Sequence, residues 1–368
     1  MQLPLIDDYR QLFLSDMPLL DVRAPIEFVQ GAFPTACNLP LIDDEERHAI
    51  GIRYAERGQE QAIALGHELV QGELRQQRIN DWIEFARQHP QGALYCFRGG
   101  MRSKISQQWL YDTTGVAYPR VVGGYKALRR YLLNELDSAV DSLQALVIGG
   151  RTGVGKTRLL SRLEQQIDLE GIYRHRGSSF GYRVAPQPSQ INIENTLAIA
   201  LLKHRSHNIH KLVLEDEAPN IGSRSVPTGI IQAMHKAPLI IVEADIGERV
   251  ALVFDEYINI SLAEYQQAQG EELGFETWAN NLRSAMDRIQ RRLGVERHNA
   301  LKAVLDDAIQ QQRTDNDREH HKTWIRTLLL EYYDPMYDYQ LAKKVERVVF
   351  RGDHDSILEF LQQQHGVR

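Results

Sequence analysis

The sequence predicts a two-domain α/β protein, with an N-terminal domain over residues 1–138 and a C-terminal domain over residues 139–368. A chain of 368 residues is longer than one hydrophobic core usually organises. In each half, an apolar run typical of a buried strand leads directly into a glycine-bearing loop and then a helical segment, at residues 92–111 and 143–163. Such repeated units are typical of parallel sheets with crossover helices. From about residue 262 to the end, we expect the chain to be helical.

The composition is that of a soluble globular chain, with 25% charged residues, 43% hydrophobic residues and a net charge of −6. No apolar run approaches the roughly 20 residues of a membrane span, and the N-terminus lacks a signal-peptide pattern. Two cysteines, Cys37 and Cys96, allow no disulfide framework beyond one bridge. We therefore expect a cytoplasmic protein with reduced thiols and no membrane partner. The negative charge argues against a nucleic-acid coat over the whole surface, but clustered arginines leave room for a local basic face.

Cys96 is the candidate catalytic residue of the N-terminal domain, because it ends an apolar run and opens a loop of arginines and glycines. A helical segment follows from Ser103. Backbone N–H groups and the dipole at a helix N-terminus favour a thiolate, and the arginines add positive charge. The glycines let several N–H groups converge on one anion. The residues expected to form this anion-binding loop are Arg98, Gly99, Gly100, Met101, Arg102 and Ser103.

Other short motifs accompany this loop. They are D-V-R at residues 21–23, G-A-F-P-T-A at 31–36, N-L-P at 38–40 and G-G-Y at 123–125. Together with the cysteine loop they resemble the rhodanese family, over roughly residues 5–135. The resemblance implies an α/β domain whose loop cysteine carries sulfur or selenium. Cys37 lies in an apolar setting without charged neighbours, so we expect it to be dispensable.

A charged, mostly helical insertion at residues 43–78 departs from that family pattern. Its apolar residues Ile63, Leu65, Leu69 and Val70 fall mostly on one side of a helix. Two interpretations stay open. The insertion is either a lid or packing element near the cysteine loop, or an ordinary solvated helix.

Residues 149–157 read G-G-R-T-G-V-G-K-T and satisfy the P-loop pattern G-x-x-x-x-G-K-[ST], between a buried strand and a helical segment. The glycines let backbone N–H groups wrap a phosphate chain, Lys156 supplies a positive charge, and Thr157 can ligate Mg²⁺. The expected diphosphate-binding residues are Gly150, Arg151, Thr152, Gly153, Gly155, Lys156 and Thr157.

A second buried strand at residues 211–214 runs into three consecutive acids, and a third such strand follows at 239–243. The acids Glu215, Asp216 and Glu217 stand where a magnesium-holding acid would lie in a nucleotide-hydrolysing relative. We expect one of them to hold Mg²⁺ together with Thr157. No adenine-reading motif or arginine finger can be named, so the loop could hold the diphosphate of something other than ATP.

The remainder of the C-terminal domain offers one candidate loop and one candidate surface. Residues 175–181 are rich in glycine and hydroxyl groups and are expected to form a functional loop over the phosphate site. Several arginines of residues 286–298 fall on one side of a helix, which is either a solvated face or a phosphate-backbone contact surface. The candidate contacts are Arg288, Arg291 and Arg292. The histidines at 204, 207 and 210 lack a completing ligand, so no structural metal is expected.

The combination of these motifs, with H-R-G-S-S-F-G at 175–181 and E-D-E-A-P-N-I-G at 215–222, resembles the tRNA 2-selenouridine synthase family over nearly the whole chain. The resemblance implies replacement of sulfur by selenium at carbon 2 of 2-thiouridine in the tRNA wobble position. It further implies S-geranylation by geranyl diphosphate as the first step and selenophosphate as the selenium donor. The expected partners are tRNA and a selenophosphate-producing enzyme, with no tightly bound cofactor. One departure is the run at residues 217–220, where the family has acid–acid–serine–arginine and this chain has E-A-P-N.

Two other classes of function stay open. The spacing from Cys96 to Arg102 is also the C-x5-R of cysteine-dependent phosphatases, in which the arginine clamps a phosphate and the cysteine attacks phosphorus. Against this, Tyr95 stands where the common signature has histidine, and the P-loop domain would have no purpose. The third interpretation is a P-loop kinase or ATPase with a regulatory rhodanese module, whose ATP turnover would survive Cys96→Ala.

Overall fold

The structure is a computed structural model that describes residues 2–367 in two compact units. The first unit comprises the chain up to Ala139 together with Ser189–His207, and the second comprises Val140–Pro188 and the chain from Asn208 onward. The expected boundary at 138/139 placed Ser189–His207 in the C-terminal domain, whereas the structure groups this segment with the first unit. Polar side chains fix it there. Asn192 accepts a hydrogen bond from the Ala32 N–H, and Asn195 donates one to the Ala32 carbonyl, both at 2.7 Å.

Within the described residues, the first unit is built on a parallel five-stranded sheet of order β1-β5-β4-β2-β3. Its strands are β1 (Leu5–Ile6), β2 (Leu19–Asp21), β3 (Ala36–Asn38), β4 (Ala93–Tyr95) and β5 (Arg120–Val121). Its helices are α1 (Tyr9–Leu14), α2 (Pro25–Gln30), α3 (Asp44–Leu69), α4 (Gly72–Gln88), α5 (Met101–Thr114), α6 (Gly124–Ser142) and α9 (Gln190–Ser206). Strand β4 is fully buried, so the predicted apolar run forms the central part of this sheet. Cys96 follows it directly.

The predicted insertion, residues 43–78, forms α3 and the first part of α4. Helix α3 begins with a reciprocal cap, in which Asp43 accepts from the Glu46 N–H and Glu46 accepts from the Asp43 N–H, each at 2.8 Å. The helix is broken at Gly58, which has φ 79° and ψ −174°. Val70, directly after α3, is 2% exposed and packs in the same core as Leu20 and Leu94. Part of the insertion is therefore a packing element of the first unit.

Over the described residues of the second unit, the main sheet is also parallel, in the order β12-β11-β6-β8-β7. Its strands are β6 (Gln144–Gly150), β7 (Gln166–Ile167), β8 (Lys211–Glu215), β11 (Leu239–Val242) and β12 (Val348–Gly352), and β9 (Asn220–Ile221) pairs separately with β10 (Arg224–Ser225). The helices are α7 (Lys156–Leu160), α8 (Leu169–Tyr173), α10 (Thr228–Lys236), α11 (Ile246–Phe254), α12 (Ser261–Gln269), α13 (Glu271–Leu293), α14 (Val295–Asp315), α15 (His321–Leu328), α16 (Asp334–Ala342) and α17 (His354–His365). The predicted mixed α/β class with parallel sheets is confirmed.

The expectation of helices from residue 262 to the end is wrong at β12. Most of this region is helical and encloses its own core around Trp278, Met286 and Trp324. Its last strand, however, pairs in parallel with β11, with Ile240 opposite Phe350. The β-branched and aromatic residues Val348, Val349 and Phe350 suit an edge strand, and alternate residues of β12 are exposed. No helix within residues 2–367 combines the length and apolar character needed to cross a membrane.

Candidate active sites

The cysteine loop begins where β4 ends, and α6 holds its backbone. The N–H groups of Tyr125 and Lys126 donate to the carbonyls of Cys96 and Phe97, both at 2.9 Å. The Cys96 residue is 3% exposed. Its Sγ lies 3.1 Å from the hydroxyl of Ser103, which is also 3.2 Å from the Gly100 carbonyl.

The glycines of the loop are required by close backbone approach. A Cβ on Gly124 would lie 2.1 Å from the Cys96 carbonyl oxygen, and one on Gly99 would lie 2.7 Å from the Gly123 nitrogen. Both glycines also have positive φ, 58° and 62°. Helix α5 then begins at Met101, two residues earlier than the predicted Ser103. Gly100 caps it without a side chain, so the first N–H groups of α5 can face an anion.

The two arginines of the loop have different surroundings. Arg98 is exposed, with its guanidinium 5.9 Å from the Phe97 ring centroid. Arg102 instead forms a two-point ion pair with Glu27 of α2, with Nη–Oε distances of 2.5 and 3.0 Å. Burial would raise the pKa of Glu27, but the hydrogen bonds and charge of Arg102 bring it below its usual value. The sequence did not single out Glu27. Because Arg102 is paired with Glu27, it is less available to clamp a phosphate, as the C-x5-R interpretation requires.

The D-V-R motif forms a buried hydrogen-bond network that reaches Tyr95, the residue before Cys96. Arg23 is 1% exposed and bonds both Asp21 carboxylate oxygens, at 2.6 to 3.0 Å, and the Gly31 carbonyl at 2.7 Å. The Tyr95 hydroxyl donates to the same carboxylate at 2.7 Å. Burial and the nearby Asp21 carboxylate raise the Tyr95 pKa well above its ordinary value. These contacts hold Tyr95, the last residue of β4, in place. The motif therefore has a structural role next to Cys96.

A cavity of about 1030 Å³ opens beside the loop within the first unit. Helix α3 supplies one wall, which includes Ile50, Ile52, Tyr54, Ala62 and Ile63. Phe97 of the loop and residues from the start of α5 also line the cavity. The lid interpretation of the insertion is thus supported by position, since α3 covers a space next to the predicted anion loop.

The P-loop of the second unit joins β6 to α7 and has the backbone that its pattern requires. Gly150, Gly153 and Gly155 have φ values of 155°, 83° and 80°. The Lys156 ammonium lies 3.4 Å from the Gly150 carbonyl, so it folds back over the loop. Helix α7 is shorter than predicted and ends at Leu160.

Residues from distant parts of the second unit brace this loop. Arg249 donates to the Thr152 carbonyl at 2.9 Å and forms a buried two-point ion pair with Asp334, at 2.6 and 3.0 Å. Arg151 is paired with Asp338 at 2.8 Å. The imidazole Nε2 of His354 lies 2.8 Å from the Val154 carbonyl. Arg151 is therefore engaged by the helical region, which restricts how it can reach a bound phosphate.

One buried glutamate, Glu215, and two half-buried ones, Glu170 and Glu217, converge next to Thr157. Carboxylate oxygens of Glu170, Glu215 and Glu217 all lie within 4.8 Å of one another. The Thr157 hydroxyl lies 2.7 Å from Glu215 and 3.3 Å from Glu170. Burial raises the pKa of all three carboxyls, and the charge of a neighbouring glutamate raises each further, so that Glu217 reaches about 7. The charge of Lys156 opposes the shift in each case.

This oxygen-only group suits Mg²⁺, which prefers carboxylate and hydroxyl ligands and would favour the charged form of each acid. The structure corrects the predicted set in two ways. Asp216 pairs with Lys344 at 2.5 Å and stands outside the cluster. The sequence did not reveal Glu170, because the strand before it, β7, has only two residues and cannot be recognised from sequence. In the structure β7 lies next to β8, the strand that ends in Glu215.

The loop at residues 175–181 carries polar atoms without partners. Among the described residues, Arg176 Nη1 and His175 Nε2 are buried and find no hydrogen-bond partner. The positive charges of Arg176 and Lys156 both lower the pKa of Glu256, against burial, which raises it. Arg176 and Lys156 thus act on the same region of the second unit. Arg176 Nη2 lies 3.9 Å from a carboxylate oxygen of Glu264, whereas the unsatisfied Nη1 is suited to an anionic ligand.

The three candidate arginines of α13 differ in their contacts. Arg288 donates to the Ser179 carbonyl at 2.6 Å and stacks 4.5 Å from the Tyr182 ring centroid. It therefore holds the 175–181 loop. Arg291 and Arg292 are exposed, and Arg292 Nη1 lies 3.9 Å from the Met336 sulfur. Their contact with a phosphate backbone stays a prediction.

Comparison with known proteins gives a consistent set of matches. The family model described as tRNA 2-selenouridine synthase AAA domain matches residues 143–367. A tRNA 2-selenouridine synthase of Marinobacter nauticus is 48% identical over 97% of each chain, and one of Bordetella bronchiseptica is 48% identical over 96% of each. That of Cupriavidus pinatubonensis is 49% identical over 97% of this chain and 98% of its own. Among solved structures, the N-terminal domain of a putative ATP/GTP binding protein from Clostridium difficile 630 is 29% identical and covers 35% of this chain and 98% of its own, but its TM-score of 0.31 is too low to carry an argument.

Proposed function

The chain belongs to the tRNA 2-selenouridine synthase family, a family of tRNA-modifying enzymes, and we propose a two-step reaction at the wobble 2-thiouridine. In the first step the base sulfur is alkylated by geranyl diphosphate. In the second step selenium from selenophosphate replaces the geranylthio group at carbon 2. The observation that supports this proposal is that each unit has a glycine-bearing loop between a buried strand and a helix, one with Cys96 and one with Lys156 close to three clustered glutamates.

We assign the first step to the P-loop. The thiocarbonyl sulfur attacks the allylic carbon of geranyl diphosphate, the carbon–oxygen bond breaks, and diphosphate leaves. Negative charge grows on the diphosphate as this bond breaks, so positive groups placed beforehand lower the barrier. Lys156 and the N–H groups around Gly153 and Gly155 are suited to this task, and Thr157 with the glutamate cluster would hold Mg²⁺ against the same diphosphate. No phosphoryl group is transferred, so ATP is not consumed.

We assign the second step to the cysteine loop. A thiocarbonyl sulfur is a poor leaving group, but the geranylated base has an electron-poor carbon 2 and releases geranylthiol. A carbon–selenium bond forms at carbon 2, the carbon–sulfur bond breaks, and the donor ends as phosphate after water cleaves its phosphorus–selenium bond. Cys96 is the proposed soft nucleophile: its thiolate attacks carbon 2 while the geranylthio group leaves and takes up a proton, and the selenium of selenophosphate then displaces the thiolate from carbon 2. The N–H groups at the start of α5 are the proposed anion contacts.

We also propose that the first unit is a rhodanese-like domain. Its parallel sheet, the cysteine placed directly after a buried central strand, and the Gly124 contact with the Cys96 carbonyl support this. The kinase, ATPase and phosphatase interpretations are not favoured by the named relatives. For the phosphatase, the ion pair of Arg102 with Glu27 is a further argument against a phosphate clamp.

The partners follow from the same proposal. As a tRNA-modifying enzyme the protein takes tRNA as its substrate, and we propose that Arg291 and Arg292 contact the phosphate backbone. We propose a cytoplasmic location, where tRNA is found. A selenophosphate-producing enzyme is proposed as the supplier of the donor.

The proposal is tested with the purified full chain and tRNA that carries 2-thiouridine at the wobble position. Geranyl diphosphate and Mg²⁺ are added with and without ATP, followed by selenophosphate, and the nucleosides are analysed by mass spectrometry. We expect S-geranyl-2-thiouridine first and 2-selenouridine after the donor is added, both without ATP. A strict need for hydrolysable ATP would overturn the proposed first step and favour a kinase or ATPase.

A further inference from the structure

We propose that the cavity under α3 binds the geranyl chain of the S-geranylated wobble base and so selects geranylated tRNA for selenation. This inference rests on the proposed two-step function, and it adds a binding site for an apolar chain of about ten carbons. The cavity belongs entirely to the first unit, the unit that carries Cys96.

Exposed apolar side chains line the cavity and favour an apolar ligand. Ile52, Tyr54 and Met101 all line it, and they are 47%, 58% and 41% exposed. Large apolar side chains left exposed together mark a binding surface more often than singly exposed ones do. The lining also includes Ala62 and Val70, which are 4% and 2% exposed.

The charged side chains of the cavity lining include a cluster around Glu27. Arg102 and Glu27 are paired at one part of the lining, and Arg47 lies 3.3 Å from the same Glu27 with about half of its side chain exposed. Much of the α3 wall is aliphatic or aromatic. An occupant that matches both parts has a polar, anionic end and an apolar tail. A geranylated base within a tRNA strand has this character, whereas an unmodified nucleotide does not.

The position and the volume of the cavity also suit the geranyl chain. Phe97 and Met101, which follow Cys96 in the loop, are part of the wall, so a chain held here would keep its thioether close to the proposed nucleophile. A volume of about 1030 Å³ lies at the upper end of the range for ligand pockets, about 300–1,000 Å³. The break at Gly58 lets α3 curve, since both Tyr54 before it and Ala62 after it reach the cavity.

The test compares two synthetic anticodon stem-loops that differ only in the S-alkyl group, geranyl or methyl, bound to the full chain in a fluorescence anisotropy titration. Burial of one methylene strengthens binding about fourfold, so even partial burial of the nine extra carbons should favour the geranyl form by at least about 100-fold. The double variant Ile52→Asn and Tyr54→Asn should reduce this preference to about tenfold or less. Both residues are exposed, so folding should be little affected.

Matched controls separate the cavity from general effects. Val116→Asn changes an equally exposed apolar residue of the same unit that lies outside the cavity lining, and it should keep the full preference. Ala62→Trp should fill the cavity and weaken the geranyl form selectively, whereas Ala64→Trp on the exposed side of α3 should not. Equal affinity for the geranyl and methyl stem-loops would overturn the proposal. A preference that survives the Ile52 and Tyr54 changes would show that the chain binds elsewhere.

These outcomes are distinct from failure of the proposed function. The stem-loops are made chemically, so their binding does not depend on the geranylation step. If geranyl diphosphate gave no S-geranyl product, the two-step function would fail, while the affinity ratio would still report on the cavity. Conversely, loss of the ratio with normal product formation would remove the cavity assignment alone.

Discussion

Replacing Lys156 by alanine tests whether the P-loop acts on a diphosphate. The Lys156 ammonium lies 3.4 Å from the Gly150 carbonyl, over the loop that we propose binds the diphosphate. Removal of one such preorganised charge typically costs about 2.7–4 kcal/mol in the transition state, which is about 100- to 1,000-fold in rate. We expect a loss of S-geranylation of this size, and little change in selenation of tRNA that is already geranylated.

A second effect of the same change acts through the glutamate cluster. The charge of Lys156 lowers the pKa of Glu170, Glu215 and Glu217 against their burial. Without it these pKa values rise further above their ordinary range, so fewer of the acids are ionised at neutral pH. A carboxyl group must lose its proton to ligate Mg²⁺, so the variant should need more Mg²⁺ or a higher pH than the unchanged enzyme.

The sign of the pH dependence follows from the raised pKa values. In metal-free protein the folded-state pKa of Glu217, about 7, lies above its ordinary value of 4.5. Its contribution to the free energy of unfolding is therefore fully present below pH 4.5 and is lost as the pH rises through 7. Mg²⁺ binds the ionised form, so it should raise the melting temperature at pH 8 more than at pH 5.5, and EDTA should remove the difference.

The assay measures initial rates of S-geranylation at pH 6, 7 and 8.5 over a series of Mg²⁺ concentrations. Lys302→Ala, a change at a lysine of α14 that pairs with Asp287, serves as the control and should behave as the unchanged enzyme. Geranyl transfer by Lys156→Ala within about threefold of the unchanged rate would refute the assignment of this loop to the diphosphate. Identical Mg²⁺ requirements at every pH would refute the role of the glutamate cluster.

The remaining predictions concern the other parts of the molecule. Cys96→Ser should abolish selenation and accumulate S-geranylated tRNA, whereas Cys37→Ala should keep most activity, as mass spectrometry of the nucleosides would show. Replacing Arg291 and Arg292 by alanine should weaken binding to all tRNA species alike, and should flatten the slope of log K against log salt by about one unit for each phosphate that the protein no longer neutralises. Gly58→Ala should cost about 1–3 kcal/mol in urea unfolding, because φ 79° with ψ −174° suits glycine almost alone.

Each of these has an outcome that would contradict it. Equal loss of selenation in the two cysteine variants would remove the special role of Cys96. An unchanged dissociation constant at matched ionic strength would show the α13 arginines to be merely solvated. For α3, the matched change is Gly51→Ala, where an added Cβ meets no atom within 4 Å and should stabilise the helix by about 0.5–1 kcal/mol. Stabilisation by both glycine changes would mean that the break at Gly58 carries no strain.

The strands that the sequence predicted are those buried on both faces. Residues 93–95, 144–150, 211–215 and 239–242 are near-continuous apolar runs, as expected for inner strands of a parallel sheet. The sequence did not predict β12. This edge strand alternates half-buried and exposed residues, and it lies within a mostly helical region. The two-residue strands β1, β5 and β7 are too short to carry any periodic pattern.

The sequence by itself determined the backbone of the two glycine-bearing loops, because each is built from consecutive residues whose types dictate the local conformation. Glycines at 99, 153 and 155 adopt positive φ, and Cys96 and Lys156 stand at fixed spacing from them. The tertiary structure alone decided which distant groups face those loops. It brought Glu27 to Arg102, Glu170 to Thr157, and α3 over the cavity. The two residue pairs are 75 and 13 positions apart in the chain, and their closeness arises from sheet order and helix packing, which no local pattern encodes.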